Sequence, residues 1–323
     1  MKKIYSLVVA VAMLVGFSGC VESATPAVKK VEIVSSVQVF SQKDSASITP
    51  KMISESFAKV GLRNVGNNDM NKPFSQRFSH THYSTYNLAM FQNDALTLKL
   101  IKKYPKFGVI APLSMSIWRD KNGALNISTL TLRGMARVTD IPLTDPDLVA
   151  YAVLVKKGLK EALPKGEFVE FHRAVKNPTQ SFVQDFVADA EVDEDTSMEE
   201  FREEFEDEFE GELEPVGFLF PNYSNLNENL FEPAGYKEYD FYITYSICKF
   251  DVIYPVSKNH PEAGAYAPCS FYFYKKKDEA KMHMGYLGVK NWIETLDIKE
   301  QDGVKPLLEA QKKINSVISE IIE

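Results

Sequence analysis

Apolar positions along the first half of the chain alternate between two periods. VEIVSSVQVF (Val31 to Phe40) is rich in β-branched residues with partial alternation, which predicts a strand. After a polar loop, Thr49-Pro50 marks a helix start, a capping hydroxyl followed by proline at the first helical position, and Ile53, Phe57 and Val60 form an i, i+4, i+7 stripe up to Gly61. A short segment through Val65 and a loop rich in Asn lead to a predicted strand from His82 to Phe91. A helix from Asp94 to Tyr104 then carries Leu96, Leu100 and Ile101 on one side, and Pro105 stops it because proline lacks the donor to continue. Leu113 to Trp118 alternates apolar with polar, Asp120 to Gly123 supplies a turn, and the second arm of this hairpin ends at Leu130. A last helix runs from Asp145-Pro146 to about Leu163 with Leu148, Leu154/Val155 and Leu159 inward.

The second half repeats the order. HYSTYNLAMF, ending at Phe91, and FYITYSICKF, ending at Phe250, agree at Tyr83/Tyr242, Thr85/Thr244, Tyr86/Tyr245 and Phe91/Phe250, an offset of 159. PKFGVIAP from Pro105 and PEAGAYAP from Pro261 agree in both prolines, in Gly108/Gly264 and in Ala111/Ala267 at an offset of 156. Glu167 to Val175 takes the place of the first strand, and Ser197 with Glu200 has capping-box spacing ahead of Phe201, Phe205 and Phe209. Phe218 to Phe220, a hairpin of Cys269–Tyr274 and Lys281–Leu287, and a closing helix with Pro306 in the place of Pro146 complete the second copy. Two tandem α+β repeats are expected, residues 31–163 and 164–323, each an antiparallel sheet packed by helices.

Composition supports a real core, with 45% apolar and 12% aromatic residues in 323. The net charge of −7 hides an asymmetry: residues 30–163 carry +8 and residues 164–323 carry −17. Between Glu191 and Glu214, 14 of 24 residues are acidic and Arg202 is the sole base. A solvated face over a buried Phe stripe accounts for that helix, 197–210, and the basic first repeat is its expected docking partner. Asp193 to Asp195 lacks the glycine and terminal Glu of a calcium loop.

The amino terminus gives location. Lys2 and Lys3 precede an apolar run from Ile4 to Phe17, the n- and h-regions of a secretory signal, and too short for a spanning helix. Phe17-Ser18-Gly19-Cys20 resembles the bacterial lipoprotein cleavage box. Residues 1–19 are then the signal peptide, Cys20 the lipidated residue and 20–30 a tether. Several acyl chains on Cys20 would hold the protein firmly, since one chain binds only marginally. Val21 rather than Asp after the Cys points to an outer-membrane destination in a cell that has one. Nucleic acid is not an expected partner of an exported protein.

Candidate chemistry is sparse. Cys248 and Cys269 are the thiols left beside Cys20, and at the offsets above Ala89 and Leu113 replace both together in the first copy. Joint absence argues that the two touch. Three readings stay open: a structural disulfide in an oxidising compartment, a redox or soft-metal site, and two buried free thiols. A metal there needs further ligands, for which His283 is the nearest candidate. His80 and His82 alternate at a strand start and so share a face, a second weak metal candidate. Tyr83, Tyr86, Tyr242 and Tyr245 are candidates for an apolar groove. No nucleophile elbow, phosphate-cradling loop, HExxH or haem CxxCH is present, and no cofactor is expected beyond a metal ion.

SICKF, a helix, and then APCSFYFY resemble the family catalogued as domain of unknown function 302, whose members carry an Ile-Cys-Asn-like strand end and a Pro-Cys at the next strand. Both copies fit that layout, so the resemblance spans residues 31–323. It implies an α+β fold with an antiparallel sheet and brings no activity. Lys249 stands where the family often has Asn, and the first copy lacks both cysteines. The functional expectation is a lipid-anchored envelope protein that binds a small apolar ligand or an envelope protein, without catalysis. The alternative is thiol redox or metal handling at Cys248 and Cys269.

Overall fold

A computed structural model describes residues 35–169, 181–193 and 195–323. The signal, Cys20 and the tether lie outside the described residues. The first repeat runs β1 (Val37–Gln42), α1 (Pro50–Lys59), β2 (Arg63–Asp69), α2 (Asn71–Phe78), β3 (Tyr86–Gln92), α3 (Asp94–Lys103), a 3-10 turn (Pro105–Ile110), β4 (Leu113–Arg119), β5 (Leu125–Leu130), α4 (Leu132–Thr139) and α5 (Pro146–Ala162). After β6 (Glu167–Val169), the second runs β7 (Val183–Asp189), α6 (Met198–Leu213), β8 (Leu219–Asn225), β9 (Tyr239–Cys248), α7 (Phe250–Asn259), a 3-10 turn (Pro261–Ala265), β10 (Cys269–Lys276), β11 (Lys281–Leu287), α8 (Lys290–Thr295) and α9 (Gln301–Ile321). The sheets have the orders β2-β3-β4-β5-β1-β6 and β7-β11-β10-β9-β8, so both repeats share one topology, and their pairings are antiparallel. The α+β reading holds.

The helix starts follow their caps. The Thr49 hydroxyl accepts from the Met52 N–H, and Ser197 with Glu200 closes a reciprocal capping box. Ile53 and Phe57 are buried on α1, as Phe205, Phe209 and Leu213 are on α6. One face of the second sheet, through Phe271, Phe273, Met282 and Met284, packs with α6 and α9 in an outer core.

Several expectations are corrected. Of the strand expected over Glu167 to Val175, residues 170–175 lie outside the described residues, and Glu167–Val169 pairs with β1 as an extra edge of the first sheet, while β7 takes the place of the first strand. The Asn-rich loop contains α2, which buries only Phe74 and so shows no apolar stripe. The short helices α4 and α8 are also beyond the sequence expectation, α4 because Gly134 interrupts it where a Cβ would press on the Ser36 backbone. His82 to Thr85 is bend, and β3 starts at Tyr86. Pro306 lies inside α9 and is no counterpart of the helix-starting Pro146.

The sheet registers also change the alignment of the repeats. Phe91 faces Leu113 across β3 and β4, and Ile247 faces Cys269 across β9 and β10. Tyr86 faces Trp118, and Tyr242 faces Tyr274. One offset of 156 therefore runs from β3/β9 through α3/α7 to Pro112/Pro268. The offset of 159 matches similar side chains that do not occupy equivalent places. The counterpart of Cys248 is Gln92, not Ala89, and the counterpart of Lys249 is Asn93.

Candidate functional site

The 3-10 turns carry each repeat onto the other. Tyr86 donates to the Pro261 carbonyl at 3.4 Å, and its equivalent Tyr242 donates to the Pro105 carbonyl. Ser114 donates to the Pro268 carbonyl at 2.7 Å, and its equivalent Ser270 to the Pro112 carbonyl at 3.1 Å. Each contact recurs with the repeats exchanged, as in an isologous dimer within one chain. Arg77–Asp251 and Lys106–Asp185, each closing to 2.6 Å, join the repeats by charge. Among the described residues no ion pair joins the acidic helix to the first repeat, and α6 turns Phe205 and Phe209 into the outer core of its own repeat.

The tyrosines and histidines singled out in the sequence do not gather at one place. The four tyrosines line no common groove: Tyr83 donates to the Lys258 carbonyl, Tyr86 and Tyr242 are locked between the repeats, and Tyr245 sits on the opposite sheet face, donating to Glu210. His80 and His82 lie in a loop with ring centroids 5.6 Å apart. His82 stacks on Tyr254 and donates Nε2–H to its carbonyl at 3.1 Å, and burial lowers its pKa. His283 faces Tyr274, five positions along β10 from Cys269 and so ~17 Å away. It is engaged by Glu279 at 2.8 Å and cannot join the thiols. Among the described residues no three metal-ligating side chains gather.

The structure does bring the cysteines together. Both line a cavity of about 50 Å³ in the second repeat. Its wall comes from the ends of β9 and β11, the strand start at Cys269, the first turn of α7, Trp292 of α8 and Leu307, Ala310, Gln311 and Ile314 of α9. Both thiols are free, and burial pushes each up to about 12, Cys269 further feeling Cys248. At pH 7 such a thiol is ionised to only about one part in 10⁵, so it is a poor nucleophile.

The first repeat shows why the space is open. There the fully buried Tyr151 of α5 packs beside Asn93 and Thr97, its hydroxyl without a hydrogen-bond partner among the described residues. The equivalents of those two, Lys249 and Ile253, line the cavity, where α9 presents Leu307, Ala310, Gln311 and Ile314. A tyrosine fills one repeat and leaves no counterpart in the other. The polar groups at the cavity are donors. The Trp292 indole N–H is buried and without a partner, and the Gln311 Oε1 is already occupied by the Val289 N–H at 2.8 Å. Lys249 lies with its ammonium 4.9 Å from the Phe218 ring centre. Among the described residues no carboxylate pairs with it.

Lys249 also replaces a cap. Asn93 accepts from the Leu96 N–H at 2.9 Å at the start of α3, whereas α7 has no side-chain cap bond. Losing an Asn cap costs about 1 kcal/mol, and a cation at the positive end of the helix dipole adds to that.

The family described as "Domain of unknown function DUF302" matches the sequence twice, at residues 37–164 and 194–321. The chain belongs to the DUF302 family. A solved structure titled "Crystal structure of uncharacterized conserved protein DUF302 from Bacillus stearothermophilus" is 14% identical, covering 39% of this chain and 96% of that one with a TM-score of 0.32. No curated protein matches. The two DUF302 repeats thus confirm the tandem reading. Within them, sequence reasoning finds Cys248, Cys269 and the odd Lys249 but misses Trp292, which lies on the unexpected α8, and Leu307. Aligned by their starts instead of by their prolines, the closing helices place Leu307 on Ala152 and Pro306 on Tyr151, so the signal that could have found the space is the loss of that tyrosine.

Proposed function

We propose that this protein is a non-enzymatic binding module of the cell envelope, in which the second DUF302 repeat holds the ligand and the first is its scaffold. The cavity beside Cys248 and Cys269 carries this reading: it is apolar, the orphaned polar atom among its lining residues is a donor, the Trp292 indole N–H, and the buried Tyr151 packs beside the equivalent residues of the first repeat. The amino-terminal signal and a lipid on Cys20 would hold the module at the periplasmic face of the outer membrane. Xenon under pressure tests the cavity directly: methyl resonances of Ile247, Ile253 and Leu307 shift in a saturable way, and an absence of shift there sinks the reading. Incorporation of labelled palmitate, lost in Cys20→Ser, tests the anchor.

A second reading is thiol redox, which the shared wall of the two cysteines favours. It requires a reversible disulfide with a potential well above the −300 mV region of structural bonds, measured in defined glutathione buffers. The raised pKa of both thiols, Cys248 buried and Cys269 half-buried, weighs against it.

A further inference from the structure

We infer that the cavity takes a short aliphatic carboxylate, its alkyl end among Cys248, Ile253 and Leu307 and its carboxylate at the mouth beside Lys249 and the start of α7. This rests on the reading of the cavity as a ligand site. Size sets the alkyl part. A dry engineered cavity of about 150 Å³ holds benzene, so about 50 Å³ accommodates roughly two carbons and places the acid near propionate or butyrate.

Chemistry sets the head group. Lys249 is the one charged residue in the cavity wall, and no carboxylate of the described residues neutralises it. It stands at the amino end of a ten-residue helix that lacks a side-chain cap, where an anion is favoured by the backbone N–H groups and the dipole. The Asp251 carboxylate in that first turn is engaged by Arg77 at 2.6 Å and does not quench the position. Trp292, 3% exposed, lines the same cavity with an indole N–H that has no acceptor. A ligand oxygen would satisfy what the protein leaves open. The repeat's charge of −17 does not forbid this, because charges beyond about 10 Å are largely screened at physiological salt.

The test uses the ¹⁵N-labelled full chain, reading the indole N–H signal of Trp292, assigned with Trp292→Phe. Sodium propionate is titrated against 1-propanol, with xenon as the cavity control. The expected result is a saturable shift with propionate, at least tenfold weaker with propanol, weakened at least tenfold by Lys249→Met and weakened by added salt. Equal binding of acid and alcohol, or no effect of Lys249→Met in a protein whose spectrum is otherwise native, overturns the carboxylate while leaving the cavity reading intact. Silence toward propionate, propanol and xenon together overturns both.

Discussion

Gly264→Ala should unfold the chain's central joint. A Cβ at Gly264 would stand 2.9 Å from the Ser116 Cα and 2.8 Å from Leu88 Cδ2, and it would also meet the Ser116 Cβ. Carbon atoms rest about 3.5–4.0 Å apart, so the turn must retreat by close to an ångström. Ser116 cannot yield, because β4 is paired on both sides, to β3 and β5. The retreat stretches the bonds from Ser116 to the Pro261 carbonyl, now 2.7 Å, and from Ser128 to the Glu262 carbonyl, now 2.9 Å. Two hydrogen bonds at about 1 kcal/mol each and an overpacking cost of about 1–3 kcal/mol sum to roughly 3–5 kcal/mol. In urea, with m near 3 kcal/mol per molar, the midpoint should fall by about 1–1.7 M. Gly211→Ala is the control: nothing lies within 4 Å of its Cβ inside α6, and it should gain about 0.5–1 kcal/mol from helix propensity. If Gly264→Ala leaves the midpoint within about 0.2 M of the wild type, the packing of the two repeats described above is wrong.

Three further outcomes follow from individual groups. Burial of His260 lowers its pKa, but the Glu262 and Glu300 carboxylates outweigh it and hold it above the ordinary value; its stabilisation is therefore full below about pH 6.5 and lost as pH rises through the folded pKa, a slope that His260→Gln should erase in pH-dependent unfolding. Glu206 is pushed up to about 7, chiefly by burial, so stability should fall between about pH 4.5 and 7 as it ionises, and Glu206→Gln should flatten that fall in the same assay. Lys249→Asn should restore the cap on α7 and raise stability by about 1 kcal/mol in urea unfolding, while weakening any anion at the cavity mouth.

The repeat architecture is legible because it rests on apolar period and on caps, which are local: Thr49, Ser197 and the stripes of Ile53/Phe57 and Phe205/Phe209 sit as their spacing predicts. What fails is non-local or weakly patterned. Strand Glu167–Val169 carries no mark of which sheet it joins, and its pairing with β1 is decided by the chain's path after α5. The match of Tyr83 to Tyr242 is persuasive because both are aromatic, yet the sheet pairs Tyr242 as it pairs Tyr86. The cavity is invisible for the same reason: α9 carries Pro306 where α5 carries Tyr151, and that loss of a large side chain shows only once the two helices are aligned by their starts.

That absence bears on function through its energy. An unfilled 50 Å³ at about 24 cal/mol per Å³ forgoes roughly 1 kcal/mol, and the missing cap at Lys249 forgoes about 1 kcal/mol more. Together they are a sizeable share of a typical stability of about 5–15 kcal/mol. Here the unfilled volume, the uncapped helix, the unpaired ammonium and the orphaned indole N–H share one wall. The first repeat, with the same sheet and the same contacts across the joint, fills and caps the same place with Tyr151 and Asn93. Stability that one copy takes and the other declines at a single spot is what a binding site requires, since a ligand can supply only the contacts the protein has left unmade.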